Sequence, residues 1–308
     1  MGKKDYLLIA ALYGSLLTGI LFPGLSAAFS ESIKYLMMTM LFLAFIKISP
    51  LDVGRALRAN WVGMIWASLL RLVVAPAMAY WIALVLYPTL AVPILLLAGT
   101  STGVSSPFFT SLCRGNISYC MVMAVITSLI LPFSLPLMVK ALARATLDYD
   151  LTAMALFLAM IIIIPLAAAF LFQALAPKPL SYVNRMSYPI SLVVVAGINF
   201  GALGRYVPYL KTQPEQIFYC AVWSVGLALA LAFLGWHSSW SRKWPDRVAA
   251  AGSQVWINNI LIIALAVHMN QPLAATLSVF YLLPLYGFVV FFSVLANRVA
   301  PIDSPRRF

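Results

Sequence analysis

Gly99-Thr100-Ser101-Thr102-Gly103-Val104-Ser105-Ser106-Pro107 decides how this chain folds. It interrupts an otherwise apolar stretch over 88–112. A second interruption, Gly252-Ser253-Gln254-Val255-Trp256-Ile257-Asn258-Asn259, breaks the stretch over 247–269. Gly and Pro weaken a helix, and backbone groups freed by a break cannot face lipid. At membrane depth such segments survive only when buried in protein or lining a cavity. Apolar stretches of membrane-spanning length recur at 6–28, 32–49, 60–86, 88–112, 116–139, 151–176, 186–204, 216–236, 247–269 and 273–295. These predict an all-α polytopic membrane protein with ten transmembrane helices in one membrane domain, 1–308. One break falls in span four of the first five, the other in span four of the last five. That correspondence points to two inverted five-helix repeats and to a site where the broken helices meet.

Composition supports the membrane. Hydrophobic residues make up 63% of the chain and charged residues 9%, where a soluble domain carries about 25% charged. A β-barrel is excluded by continuous apolar runs such as Ile161-Ile162-Ile163-Ile164, which do not alternate. With both termini inside, the inner segments hold Lys3, Lys4, Lys47, Arg55, Arg58, Arg114, Lys178, Arg185, Arg242, Lys243, Arg247, Arg298, Arg306 and Arg307. The outer segments hold Lys34, Lys140, Arg144, Arg205 and Lys211. The net charge of +12 thus reflects orientation under the positive-inside rule. The basic residues form no stripe, which argues against nucleic acid as a partner. The expected location is the bacterial cytoplasmic membrane, with cytoplasmic termini. Lys3-Lys4 and the following apolar run read as a first transmembrane helix rather than a signal peptide, because the run is long and further spans follow. Cys113, Cys120 and Cys220 lie in apolar contexts without metal-ligand spacing and read as packing residues.

Arg71 stands alone inside the apolar stretch from Trp61 to Leu86. A guanidinium near mid-membrane lies roughly 15 Å from either end at ~1.5 Å per residue, too far to snorkel. Burying it costs on the order of 2.5–3.5 kcal/mol even on the lenient insertion scale, so a function needs a fixed positive charge there. All eight acidic residues, Asp5, Glu31, Asp52, Asp148, Asp150, Glu215, Asp246 and Asp303, are expected in termini or loops. His237 and His268 fall at span ends. Proton coupling therefore has few candidates. No metal-ligand cluster, carboxylate pair or Ser/His/Asp arrangement marks an enzyme, and no cofactor is expected.

Ser101-Thr102-Gly103-Val104-Ser105-Ser106-Pro107, continuing to Arg114-Gly115-Asn116, resembles the fourth span of the bile acid sodium symporter family. Leu129-Ile130-Leu131-Pro132 and Pro136-Leu137 extend the likeness, and Gln254-Val255-Trp256-Ile257-Asn258-Asn259 is similar to the family's ninth-span motif. The resemblance implies a panel bundle, about 6–49 and 151–204, rocking against a core bundle, about 60–139 and 216–295, in which helices 4 and 9 cross at their breaks. It also implies substrate held between panel and core by half-helix N-termini. The family's sodium-site positions correspond to Arg71, Ser106, Pro107, Cys120, Ala124, Gln254 and Asn258. A thiol, a methyl and a guanidinium are poor substitutes for the hard oxygen ligands sodium needs.

The expected function is a secondary transporter moving a small or amphipathic organic anion by alternating access. Sodium is disfavoured, and Arg71 replaces the bound ion, oriented by the amides of Gln254 and Asn258. Candidate substrate-binding residues are Arg71, Ser101, Thr102, Ser105, Ser106 and Asn259. Alternatives are a sodium-coupled symporter with a remodelled site, a non-transporting membrane sensor, or arsenite efflux. The last fits poorly, because Cys113 lies past the break. Trp256 occupies a position where the family carries glycine; it either fills the lost ion's volume or narrows the substrate cavity.

Overall fold

The computed structural model describes residues 14–15, 17–59, 61–143, 150–204, 206–239 and 243–299, and these are helical nearly throughout. Much of the expected first span lies outside them, as do Lys3, Lys4, Arg144, Arg205, Arg242, Arg306 and Arg307. So do Asp5, Asp148 and Asp303. In chain order the helices are α1 (Pro23–Phe45), α2 (Pro50–Ala59), α3 (Trp61–Leu86), α4 (Ala91–Ala98), α5 (Ser106–Leu112), α6 (Ile117–Ala143), α7 (Leu151–Leu175) and α8 (Pro177–Gly204). They continue with α9 (Val207–Thr212), α10 (Pro214–Ser238), α11 (Trp244–Val255), α12 (Asn259–His268) and α13 (Pro272–Val299). Among the described residues, six helices are long and apolar enough to cross a membrane, and Pro88–Ala98 and Asn259–His268 are shorter apolar helices. This is an integral, polytopic membrane protein.

One boundary differs from the expectation. The turn between the first two spans was placed at 28–32, yet Ser30–Ser32 is a helical turn inside α1, and the interruption falls at Phe22. Pro23 is the reason: it has no N–H to give the preceding turn, and its fixed φ suits a helix start. Glu31 consequently sits on a helix, exposed.

Local chemistry sets the other ends. Asp150 caps α7 by accepting from the backbone N–H of Thr152 at 2.9 Å and Ala153 at 3.0 Å. At the other end of α1, the Gln173 amide donates to the carbonyls of Phe45, Ile46 and Ile48, each at 3.2 Å. One side chain of α7 thereby satisfies acceptors that the helix end leaves free. Within α3, Leu70–Val74 forms a π-helical turn. Pro76 has no N–H for the Leu72 carbonyl, and the widened turn absorbs that defect.

Two of the half-helices created by the breaks, α4 and α12, lie innermost. Every residue of α4 except Val92 is buried, and α12 is buried from Leu261 to Val267. They must be, because helix ends at this depth cannot rely on water. Helix α1 packs on α7 and α8, α10 packs on α11 and α13, and α6 packs on α5, α7 and α11.

Two helix ends repeat each other closely. After α5, Arg114 takes a left-handed φ of 54°, its N–H donates to Ser111 at 3.3 Å, and Gly115 N–H donates to Thr110 at 2.9 Å. After α12, Asn270 takes φ of 53°, its N–H donates to Val267 at 3.3 Å, and Gln271 N–H donates to Ala266 at 2.7 Å. Both are paired-hydrogen-bond Schellman ends.

Candidate functional site

The two interruptions touch through their backbones. Thr102 and Ile257 form an antiparallel bridge, with Gly103 N–H donating to Trp256 at 2.7 Å and Asn258 N–H donating to Ser101 at 3.0 Å. Gly103 is required there, since a Cβ would stand 2.8 Å from the Ile257 carbonyl oxygen and 2.9 Å from that of Trp256. Groups freed by one break thus satisfy the other, the accounting a membrane interior demands.

Hydroxyls complete the junction. Thr102 Oγ1 donates to the Ser253 carbonyl at 2.7 Å, and Thr102 N–H donates to Thr127 Oγ1 at 3.0 Å. Ser128 Oγ donates to Ser101 Oγ at 3.2 Å, and Thr100 Oγ1 donates to the Asn258 carbonyl at 3.5 Å. Ser101 and Thr102, expected to bind substrate, are therefore fully buried and committed to the junction. Thr127 and Ser128, which the sequence reading missed, hold it from α6. Their signal was a hydroxyl pair in the middle of an apolar helix.

Arg71 is fully buried on the π turn of α3. Its Nη1 donates at 3.1 Å to the backbone carbonyl of Gln254, near the C-terminal end of α11, where the helix dipole favours a cation. The expectation that the amides of Gln254 and Asn258 orient the guanidinium is corrected. The Gln254 side chain instead donates to the Ala67 carbonyl at 3.3 Å. Asn258 Nδ2 makes no hydrogen bond within the described residues, and neither do Arg71 Nε and Nη2. The Gln254 side chain thus reaches Ala67, one turn before Arg71.

The remaining sodium-site counterparts separate by chemistry. Cys120 Sγ accepts from Thr110 Oγ1 at 3.0 Å and donates to the Ala249 carbonyl at 3.4 Å, and Ala124 is buried. Pro107 stands in the first turn of α5, beside buried Ser106. Trp256 lies buried over Gly252, edge-on to Phe109 at 5.8 Å and Phe292 at 6.3 Å. It fills the gap between α11, α5 and α13.

Two cavities flank the junction. A small one of about 40 Å³ lies between Met37 and Met40 of α1 and the breaks, where Ser105, Asn258 and Asn259 reach it. Asn259 Nδ2 donates to the Ser278 carbonyl at 2.7 Å, whereas Asn258 Nδ2 has no partner among the described residues. This volume holds about one water molecule, whose share of the liquid is ~30 Å³. A second cavity, about 710 Å³, lies across the junction among α2, α3, α6, α10 and α11. Neither is lined by Arg71. His268 is exposed at the end of α12, stacked on Phe157 at 4.0 Å, and His237 Nδ1 lies 2.9 Å from the Phe233 carbonyl oxygen.

The profile of the Sodium Bile acid symporter family matches residues 34–211. No curated protein matches the chain. The matched segment is more than half of the sequence, and the chain belongs to this family. It is a secondary transporter of the bile acid/sodium symporter type, and the family is one of transporters, not enzymes.

Proposed function

We propose that this symporter-family member moves a small or amphipathic organic anion by alternating access without sodium, with Arg71 supplying the charge of the missing ion. The observation that carries the reading is the guanidinium at the Gln254 carbonyl. A backbone carbonyl there is a natural cation ligand, and it already accepts from a permanent cation. A sodium ion placed beside it would be repelled, and Cys120 and Ala124 offer no hard oxygen in compensation.

Organic anion would bind at the small cavity, against the N-terminus of α12 and the Asn258 amide, with Met37, Met40 and Leu282 meeting its apolar part. Ser105 and Asn259 are the candidate residues that reach this cavity, and Ser101, Thr102 and Ser106 are buried and do not line it. The cavity is too small for an organic anion, so α1 must separate from the breaks to admit one. That motion agrees with a panel of about 6–49 and 151–204 moving against a core of about 60–139 and 216–295. Ten helices in two inverted repeats, crossing at helices 4 and 9, are supported by the matched helix ends at Arg114 and Asn270 and by the reciprocal backbone bonds.

The test is thermal stability of detergent-purified protein in NaCl, KCl and choline chloride with a panel of organic acids, since ligand binding to the folded state raises Tm. The reading requires an organic acid that raises Tm equally in all three salts, and at lower concentration for the wild type than for Arg71→Gln. Sodium-specific stabilisation of the wild type would restore the coupled symporter. No response to any acid would favour a non-transporting sensor.

A further inference from the structure

Among the described residues, no acidic side chain serves Arg71 as a counter-charge. Glu31, Asp52, Asp150 and Glu215 are exposed and Asp246 is half-buried at a helix start, so no acidic side chain among the described residues is buried near mid-membrane. The Gln254 carbonyl answers one N–H, and Nε and Nη2 remain without partners at zero exposure. A buried cation in this condition attracts an anion from whichever aqueous space reaches it.

The 710 Å³ cavity approaches it along α3 and α11. Its deep end is formed by Ala67 and Ala250, each four residues before Arg71 and Gln254, or about 6 Å along a helix. Among the described residues, the Gln254–Ala67 hydrogen bond, at 3.3 Å, bridges α11 and α3 between the cavity and the guanidinium. At 3.3 Å with a single donor, that bridge is a weak closure. The carboxylates at the mouth are already engaged: Asp52 pairs with Arg55 at 3.2 Å, and Asp246 accepts from Asn116 Nδ2 at 3.0 Å.

We propose that this cavity is a vestibule through which a halide-sized monovalent anion reaches Arg71, with Gln254 swinging aside to let it pair with Nε and Nη2. The site is distinct from the organic-anion cavity, and only its coupling to that cavity rests on the substrate reading. Occupied, it cancels the fixed charge. Binding at the two sites is then antagonistic, and by linkage each anion weakens the other by the same factor.

The experiment compares Tm of the full chain in KCl or KBr with K2SO4 at matched ionic strength, without sodium. Expected is a saturable, halide-specific rise for the wild type that disappears in both Arg71→Gln and Ala250→Leu, which fills the deep end of the cavity. Equal responses to halide and sulfate, or a halide-specific rise that survives both substitutions, would overturn the proposal. In parallel, Ala67→Cys should react with a hydrophilic methanethiosulfonate reagent against the low background of the buried Cys113, Cys120 and Cys220. No reaction also counts against it, and this readout stands if Arg71→Gln fails to fold. Organic-acid stabilisation without any halide effect would sink this inference alone.

Discussion

Replacing Arg71 by Met separates a charge kept for function from a charge kept as a brace. The substitution keeps an unbranched side chain of similar reach and deletes the guanidinium. What is lost is one charged hydrogen bond, to the Gln254 carbonyl at 3.1 Å, of about 1.5–3 kcal/mol. A favourable dipole contact at the end of α11, up to ~2 kcal/mol, goes with it. What is relieved is the burial of a cation at mid-membrane, on the order of 2.5–3.5 kcal/mol. Two N–H groups that no described residue accepts add about 1–3 kcal/mol each. The relieved terms match or exceed the lost ones, and swaps of buried charge for packed hydrophobe are often neutral or stabilising. We expect Arg71→Met to fold with a Tm within a few degrees of the wild type, or above it, in anion-free buffer. The assay is a thermal melt of purified protein, with circular dichroism confirming helix content. If the guanidinium were a brace, its removal would cost about 3–5 kcal/mol. At roughly 2 °C per kcal/mol for a chain of this length, a fall of more than about 6 °C would refute the reasoning.

Gly252→Ala should destabilise by about 1–3 kcal/mol, because the new methyl would overlap the Trp256 ring, and Phe109 and Phe292 leave that ring no room to retreat; the paired change Gly252→Ala with Trp256→Leu should recover most of the lost Tm. Gly103→Ala should cost more, about 2–4 kcal/mol, since it forces apart two backbones and weakens the 2.7 Å bond to Trp256; hydrogen exchange at Gly103 and Asn258 should rise together, and a rise at one alone would contradict the reciprocal junction. Gln173→Leu should lower Tm by the equivalent of about 1–3 kcal/mol, by stranding the carbonyls of Phe45, Ile46 and Ile48 at the end of α1; a neutral result would mean that water reaches them.

The helices and their interruptions were legible because membrane physics leaves the sequence little freedom. A run such as Leu151–Leu175 can only be a spanning helix, and Gly99–Pro107 can only be a protected break. Two things escaped. The turn before α1 was misplaced because Ser30-Glu31-Ser32 is polar enough to read as a loop. Tertiary packing against α8 holds that segment helical, while Pro23 alone stops the helix. Within the site, Arg71 and Gln254 were paired correctly but through the wrong atoms. Sequence shows that an amide is present, not that its backbone carbonyl meets the cation while its side chain turns back to Ala67. The π turn that sets this geometry follows from Pro76, a signal present in the sequence and readable only once the helix is known to continue through it.

Arg71 lines neither cavity, and that fixes how strongly it can act on a bound organic anion. The guanidinium meets α11 at Gln254, and Asn258, which lines the small cavity, follows four residues later along the interrupted chain. At ~3.3 Å per extended residue, a carboxylate beside Asn258 would lie about 13 Å from the charge. At that distance and an effective dielectric of ~20, the attraction is roughly 1.3 kcal/mol. One tenfold step in affinity is 1.4 kcal/mol, so neutralising Arg71 should weaken organic-anion binding about eightfold without abolishing it. A direct, desolvated ion pair would behave differently, with loss of one partner costing 2–5 kcal/mol or more, roughly 30- to several thousand-fold. Titration of the wild type, Arg71→Gln and Arg71→Lys with the same organic acid decides between them. A field acting through space is satisfied by any cation, so Arg71→Lys should bind like the wild type, whereas a bidentate contact would lose affinity in both variants. A loss beyond a hundredfold in Arg71→Gln, unrelieved in Arg71→Lys, would place the substrate on the guanidinium itself and require the junction to open much further than α1 alone can move.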